Sequence, residues 1–405
     1  MLKEIATAEV RIGMYLQRLE GPWLDHPFWK TKFLIRDQAD LNALRDSKIK
    51  TVWIDASKGL DAAPAAAPAL AGQAAADPAP PTPPAGAEAA RRPLAVGEEL
   101  ARAGQIVQSS HAFVVNLFKE ARLGHAVDAD ACVPMVAEIA SSVARNPSAL
   151  ISLARLKTRD DYTYMHSVAV CALMISLANQ LGLSEAQSRE AGLAGLLHDV
   201  GKMAMPTAIL NKPGQLTDAE FGVMKQHPVR GHAMLKTGDA VPAAALEVCL
   251  HHHERFDGSG YPDRLAGDRI SLLARMGAVC DVYDAITSHR PYKQAWDAAG
   301  SIQRMAQWTG HFDPVIFQAF VRSIGIYPVG TLVRLQSGRL GVVIEQSASR
   351  LTHPVVKLFY STKAQMPVPV EILHLDAPHC SDRIVAKEDP QALGFSNLNK
   401  LWMEA

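Results

Sequence analysis

The sequence predicts a mainly α-helical protein with a small α+β module at its N-terminus and a short β-rich tail at its C-terminus. Three observations predict this class: an Ala/Pro-rich stretch at 61–92, apolar residues at three-to-four spacing over 93–325, and short alternating apolar runs over 326–405. A length of 405 residues suits two or three domains rather than one. We therefore expect domain boundaries near residues 60, 92 and 325.

Residues 1–60 are predicted to form the α+β module. The runs VRIGMYLQRL, KFLIRD and TVWID are typical of strands, and DQADLNALRDSK is typical of a helix opened by an Asp cap. The segment that follows holds 15 Ala and 7 Pro between residues 61 and 90. Because repeated Pro removes amide donors and prevents a regular helix, we expect 61–92 to be an extended linker.

Apolar periodicity predicts the helices of the central region, 93–325. They are expected at 97–126, 132–145, 164–181, 184–198, 241–253 and 271–288. A shorter helix is expected to open at the capping box of Thr217 and to end at Pro228. In the tail, TLVRLQSGRLGVVIEQ is typical of a hairpin that turns at Ser337-Gly338, and PVVKLFY and PVEILHL are typical of further strands.

Charge and cysteine content exclude several classes of protein. The 41 Lys and Arg balance the 41 Asp and Glu, which excludes the basic surface that a nucleic-acid polymer needs. The five cysteines are far apart and form no CxxC pair, so a reducing compartment is favoured over a disulfide framework or a thiolate zinc site. The N-terminus is untypical of a signal peptide, and no apolar run approaches the ~20 residues of a membrane span. We expect a cytoplasmic protein without a membrane span.

Histidines concentrate in one part of the central region, where seven of the 15 lie between His166 and His253. His198-Asp199 ends an apolar helix, three consecutive histidines end another, and Asp281 stands in the middle of LLARMGAVCDVYDAI. Polar groups in such surroundings are costly unless a partner or a metal satisfies them. Helices that each deliver His or Asp to one interior point are typical of a metal site, and these ligand types favour Fe, Mn or Zn.

Several spaced segments together resemble the HD-GYP family of metal-dependent cyclic di-GMP phosphodiesterases. The segments are YTYMHS at 162–167, HDVGK at 198–202, HHE at 252–254, DGSGYP at 257–262 and DVYDAITSHRPYK at 281–293. The resemblance covers about residues 150–320 and implies a helical HD-hydrolase-type bundle. Residues 1–58 resemble the small module of unassigned function that often precedes such domains. The implied reaction is hydrolysis of cyclic di-GMP to linear pGpG, with onward hydrolysis to GMP left open.

The resemblance also implies a set of metal ligands. The first ion would be held by His166, His198, Asp199 and Asp281. Asp199 would bridge to a second ion held by His227, His252 and His253. His251 matches no ligand. Family members with a third metal carry Glu four residues before the first histidine, and Tyr162 occupies that position here, so we expect two divalent ions, Fe or Mn.

Further residues are implied to act on the substrate. Asp199 and Lys202 would be catalytic, with Lys202 holding a phosphate oxygen as a point charge. The implied substrate contacts are Lys202, Arg290, Lys293, Asp284 and Tyr261. Asp284 lies one helical turn after Asp281, where orienting a metal ligand or Arg290 is the alternative role. The loop that contains GYP borders the site in the family and is associated with contact to a protein partner, although a plain tight turn would use the same residues.

Two other functions stay open at this point. A non-catalytic receptor would bind the cyclic dinucleotide and signal through the N-terminal module. Degenerate members of the family lack a metal ligand or the lysine, and this sequence has all of them. An HD phosphohydrolase of another cyclic dinucleotide would keep the same motifs, because HHE and GYP do not separate guanine from a mixed dinucleotide.

Overall fold

The computed structural model describes residues 2–19, 33–45, 47, 49–60, 94, 96–155, 162–238, 240–288, 296–347, 350–395 and 397–403. The chain divides into two compact units, Met1–Thr82 and Pro83–Ala405. The predicted linker at 61–92 lies outside the described residues.

The N-terminal unit is an antiparallel sheet with one described helix. Its strands are β1 Leu2–Ala6, β2 Tyr15–Leu19, β3 Phe33–Leu34 and β4 Thr51–Asp55, in the order β1-β4-β2-β3, and the helix is α1 Gln38–Arg45. Apolar side chains from the sheet and helix, such as Leu16, Leu44 and Ile54, form its core. The strand predicted from VRIGMYLQRL begins only at Tyr15, because the positive φ of Gly13 (+92°) bends the chain before it.

The second unit is a helical bundle followed by a sheet, which confirms the predicted fold class. The helices of the bundle are α2 Val96–Arg122, α3 Val133–Arg145, α4 Pro147–Ala154, α5 Tyr162–Gln180, α6 Glu185–Leu197, α7 Thr207–Leu210, α8 Asp218–Met224, α9 His227–Lys236, α10 Ala243–His251, α11 Leu272–Thr287, α12 Ala298–Ala306 and α13 Pro314–Ile324.

Helices α5 and α6 form the centre of this bundle. They pack against each other along their lengths, and α10 and α11 pack on them in turn. Residues 165–178 of α5 are all buried, so this helix is apolar on every side rather than amphipathic. The helices that carry the histidine motifs therefore meet in the core.

Three helices that the sequence analysis did not predict, α4, α9 and α13, have Pro in their first turn. Proline there costs little, because the first amide groups of a helix have no partner within the helix. Pro147 and Pro314 follow the capping residues Asn146 and Asp313, whose side chains accept hydrogen bonds from backbone amides of the first turn. The capping box at Thr217 opens α8 as predicted, but Pro228 belongs to the start of α9. Helix α12 was not predicted either.

The C-terminal strands form a second antiparallel sheet. They are β5 Leu332–Leu335, β6 Arg339–Glu345, β7 Val355–Ser361, β8 Met366–His374 and β9 Ile384–Lys387, in the order β8-β7-β6-β5-β9. The predicted hairpin at Ser337-Gly338 joins β5 to β6, and β9 was not predicted. A last helix, α14 Asn399–Met403, contacts α2 and β6, and its Trp402 is buried. Within the described residues, no helix combines the length and the apolarity that crossing a membrane requires.

Candidate metal centre

Four of the predicted ligands form one buried group, which we call the first cluster. It consists of His166 from α5, His198 and Asp199 from the end of α6, and Asp281 from α11, with the ligand atoms all within 4.8 Å of one another. His166 Nε2 lies 3.0 Å from Asp281 Oδ1 and 3.4 Å from Asp199 Oδ2. The structure therefore brings together residues that are far apart in sequence at one interior point.

The other three predicted ligands, His227, His252 and His253, form the second cluster beside it. The Nε2 atoms of His227 and His252 are 3.3 Å apart. Asp199 lies between the clusters: its Oδ1 is 3.3 Å from His227 Nε2, whereas its Oδ2 is 3.3 Å from His198 Nε2. Each oxygen of this one carboxylate thus faces a different cluster.

A close backbone contact sets the distance between the clusters. After Asp199 the chain makes a short 3₁₀ turn, Val200–Ala204, which packs on α9 at His227. A Cβ atom at Gly201 would lie 1.9 Å from the carbonyl oxygen of His227 and 2.4 Å from the amide of Gly231. Glycine at position 201 is therefore required for the HDVGK turn to approach α9 this closely.

Backbone carbonyl groups orient three of the ligand rings. His198, His227 and His252 each place Nδ1 within hydrogen-bonding distance of a carbonyl oxygen three or four residues earlier, so Nδ1 carries the proton and Nε2 is left as the ligand atom. The acceptors are Gly195 (2.7 Å), Met224 (2.8 Å) and Val248 (3.0 Å).

A carboxylate does the same for His166. Its Nδ1 lies 2.6 Å from Oδ2 of Asp284, which is one turn after Asp281 on α11. Asp284 is as deeply buried as His166. A carboxylate behind a ligand imidazole fixes the ring and makes the other nitrogen more basic, as in many metal sites. Asp284 therefore contacts a metal ligand, which is one of the roles that the sequence analysis gave it.

Two buried ligand atoms without a hydrogen-bond partner show that these residues fit divalent cations. Among the described residues, nothing hydrogen-bonds to His198 Nε2 or Asp199 Oδ1, although both atoms are buried. A buried polar atom without a partner costs roughly 1–3 kcal/mol. A cation at the first cluster would satisfy His198 Nε2, and a cation at the second would satisfy Asp199 Oδ1. Imidazole nitrogens with carboxylate oxygens suit Mn, Fe and Zn.

Electrostatics differ between the two clusters. Burial disfavours charge on His198, but the adjacent Asp199 anion outweighs it and raises the pKa of His198 to about 10. Burial would also raise the pKa of Asp199, yet the positive charges of Lys202 and His198 hold it well below its usual value. In the second cluster, burial lowers the pKa of His227 to about 4 and that of His253 to about 3. A metal must therefore displace protons from the first cluster, whereas the second offers neutral imidazoles.

The remaining predicted site residues are only partly described. Lys202 Nζ contacts Asp199 Oδ2 and is partly exposed. Tyr261 stacks on His253, with ring centroids 4.8 Å apart and an interplanar angle of 29°. Arg290 and Lys293 lie outside the described residues.

Tyr162, where the resemblance implies a Glu in family members with a third metal, is the first residue of α5, and its side chain lies outside the described part. His251 belongs to neither cluster. Its Nδ1 is 3.1 Å from Glu247 Oε2 and its Nε2 is 3.0 Å from Asp263 Oδ2.

Sequence reasoning missed Asp263, because no spacing rule connects it to a histidine twelve residues earlier. It also missed Lys225, whose Nζ lies 5.9 Å from the centroid of the Tyr261 ring. An exposed lysine two residues before a ligand histidine gives no signal of this contact.

Comparison of the sequence with known proteins identifies relatives that have the same type of domain. A family model described as HD domain matches residues 136–316, and one described as domain of unknown function (DUF3391) matches residues 2–132. The chain is 56% identical over 403 residues to the cyclic di-GMP phosphodiesterase PA4108 of Pseudomonas aeruginosa, covering 99% of this chain and 96% of that protein.

Two further relatives match only parts of the chain. One is the cyclic di-GMP phosphodiesterase response regulator RpfG of Xanthomonas campestris, 46% identical over 36% of this chain and 39% of that protein. Another is the 3'3'-cGAMP-specific phosphodiesterase 2 of Vibrio cholerae, 38% identical over 40% of this chain and 32% of that protein. The near full-length match and the HD-domain model confirm the resemblance that the motifs indicated: the chain belongs to the HD-GYP family of HD-domain phosphodiesterases.

Proposed function

We propose that this protein hydrolyses cyclic di-GMP to linear pGpG with two divalent ions, Fe or Mn, and thereby lowers the level of a bacterial second messenger. The observation that carries the proposal is the position of Asp199, whose two oxygens each lie 3.3 Å from a histidine of a different cluster. A carboxylate shared in this way is suited to hold two cations side by side, as phosphodiester hydrolysis uses them. The 56% identity to a cyclic di-GMP phosphodiesterase supports the substrate.

The residues of the chain have distinct roles in this reaction. When bound, the ions supply Lewis acidity to the phosphate and lower the pKa of an attacking water. Asp199 would offer one oxygen to the ion at each cluster, and Asp284 keeps His166 in one orientation. Lys202, in contact with Asp199, lies where it can hold a phosphate oxygen and stabilise the charge that grows on it. Tyr261 offers an aromatic ring beside His253.

The substrate contacts at Arg290 and Lys293 are part of the proposal, because an arginine fork suits phosphate or guanine. We also propose that residues 1–60 form a regulatory module and that the GYP loop contacts a protein partner. All five cysteines, which lie within the described residues, are unpaired, and this supports a reducing cytoplasm.

A second substrate is favoured by one observation. The chain is 38% identical over 165 residues to a 3'3'-cGAMP-specific phosphodiesterase of Vibrio cholerae. A mixed dinucleotide presents the same phosphates to the two clusters, so only the base contacts can distinguish the two substrates.

The test is hydrolysis of each dinucleotide by protein loaded with Mn²⁺ or, without oxygen, with Fe²⁺. Products are separated by chromatography, and chelator-treated protein is the control. We expect prompt pGpG from cyclic di-GMP and slower turnover of 3'3'-cGAMP. Binding of cyclic di-GMP by folded, metal-loaded protein without any product would overturn the proposal and favour a receptor.

A further inference from the structure

One metal ligand lacks the hydrogen bond that orients the others. His166, His198, His227 and His252 each have a carboxylate or carbonyl oxygen against Nδ1, whereas His253 makes no hydrogen bond from either ring nitrogen to any residue that the structure describes. Asp281 Oδ2, at 3.8 Å from His253 Nδ1, is too far for one. His253 is also the most exposed of the seven ligands, with 24% of its side chain accessible.

The ring of Tyr261 takes the place of that hydrogen bond. It stacks on the His253 ring with centroids 4.8 Å apart, and the Tyr261 amide donates to the His253 carbonyl at 3.3 Å. This arrangement needs glycine at position 260, because a Cβ there would lie 2.4–2.6 Å from Arg255 N, Glu254 Cα and the His253 carbonyl oxygen. The loop that contains GYP, residues 255–263, thus folds directly over the ligand.

Asp263 fastens the end of this loop at two points. Its carboxylate Oδ2 lies 3.0 Å from His251 Nε2, and its backbone amide donates to Glu254 Oε1 at 2.7 Å. His251 and Glu254 are both buried, and they flank the pair of ligands His252 and His253. The segment before the loop therefore holds the residue at the end of the loop, and Tyr261 lies between these two points in the chain.

We propose that Asp263 is a positioning residue for the second cluster: held by His251 and Glu254, it keeps Tyr261 stacked on His253 and so sets the affinity of the second metal. The inference rests on the proposed two-metal function. It gives a role to His251 and Glu254, which belong to neither cluster and flank the ligands His252 and His253. Loss of an outer contact that orients a metal ligand typically weakens binding about 10–100-fold.

The chain offers a matched pair of variants for the test. Asp263 and Glu247 both contact the His251 imidazole and are about half exposed, but only Asp263 belongs to the loop. Mn²⁺ binding to metal-free full-length protein is measured by equilibrium dialysis with metal analysis, without substrate. We expect Asp263→Ala to leave the first Mn²⁺ unchanged and to weaken the second about tenfold. Glu247→Ala is expected to bind both ions like the wild type, and Asp263→Asn, which keeps an acceptor for His251, to regain most of the affinity.

Other results would overturn the inference. These are a second site of unchanged affinity in Asp263→Ala, equal weakening of both sites, equal weakening in Glu247→Ala, or a wild-type chain that binds a single Mn²⁺. Thermal unfolding of the metal-free variants checks that a difference in binding does not reflect a difference in folding. Because no substrate is used, selective loss of the second Mn²⁺ would support the inference even if cyclic di-GMP were not hydrolysed.

Discussion

Replacement of Asp199 by Ala is the most direct test of the shared carboxylate. The side chain is fully buried, with Oδ1 3.3 Å from His227 Nε2 and Oδ2 3.3 Å and 3.4 Å from the Nε2 atoms of His198 and His166. The substitution takes one of four ligands from the first cluster and the carboxylate oxygen that faces His227 of the second. Both ions should therefore lose affinity together.

The size of the loss has a lower bound. Removing a residue that hydrogen-bonds to a metal ligand typically weakens metal binding about 10–100-fold. Removing an anionic residue that itself binds the metal should weaken it by about 100-fold or more. We therefore expect a loss of about 100-fold or more at each cluster, or about 2.7 kcal/mol per ion. Hydrolysis of cyclic di-GMP should fall below detection at Mn²⁺ concentrations that saturate the wild type.

The assay is equilibrium dialysis of metal-free protein against graded Mn²⁺, with product chromatography on the same samples. Circular dichroism establishes that the variant is folded. If Asp199→Ala bound one Mn²⁺ with wild-type affinity, the carboxylate would serve a single ion, and the argument from its two oxygens would be refuted.

Four further predictions concern the same site. Lys202→Met should lower kcat about 100-fold with two Mn²⁺ still bound, as expected when a donor to transition-state charge is removed; loss of metal in dialysis would contradict this. Asp284→Asn should weaken only the first Mn²⁺, by about 10–100-fold, and equal weakening of both sites would count against it. The pKa of His198 is raised to about 10, whereas that of His227 is lowered to about 4. Raising the pH from 6 to 8 should therefore strengthen Mn²⁺ binding at the first cluster and leave binding at the second nearly unchanged. Calorimetric titration at each pH checks this, and equal pH dependence at both clusters would contradict it. Because Tyr162 stands where a third metal's Glu would be, pGpG should accumulate, and prompt GMP in the product chromatogram would argue for a third ion.

Part of the candidate site could be predicted from the residues themselves because they break a local rule, whereas the full ligand set was implied by the family resemblance. His198-Asp199 and Asp281 are polar residues in apolar helices, and such residues need partners in the core. Helices α5 and α6 themselves were predicted because their apolar content is high over many residues. The helices with Pro147, Pro228 or Pro314 in their first turn were missed, and Pro228 was taken as the end of the preceding helix although it belongs to the first turn of α9.

Contacts between distant segments could not be predicted. Nothing in the spacing of His251 and Asp263 indicates a hydrogen bond, because that contact depends on how the intervening loop folds back. The stacking of Tyr261 on His253 depends on the same fold. The carbonyl groups behind His198, His227 and His252 are different, because a histidine at a helix terminus can regularly reach a carbonyl three or four residues earlier, and this signal was available in the sequence.

The burial of α5 along residues 165–178 ties the lifetime of the protein to its metal supply. His166 lies within that stretch, so the first metal would bind inside the core and only to the folded chain. A ligand that binds only the folded state stabilises it by about 2.7 kcal/mol when present at 100 times its Kd. A cell short of the metal would then hold more unfolded chains for its proteases to degrade, so that metal scarcity lowers the amount of the enzyme as well as its activity.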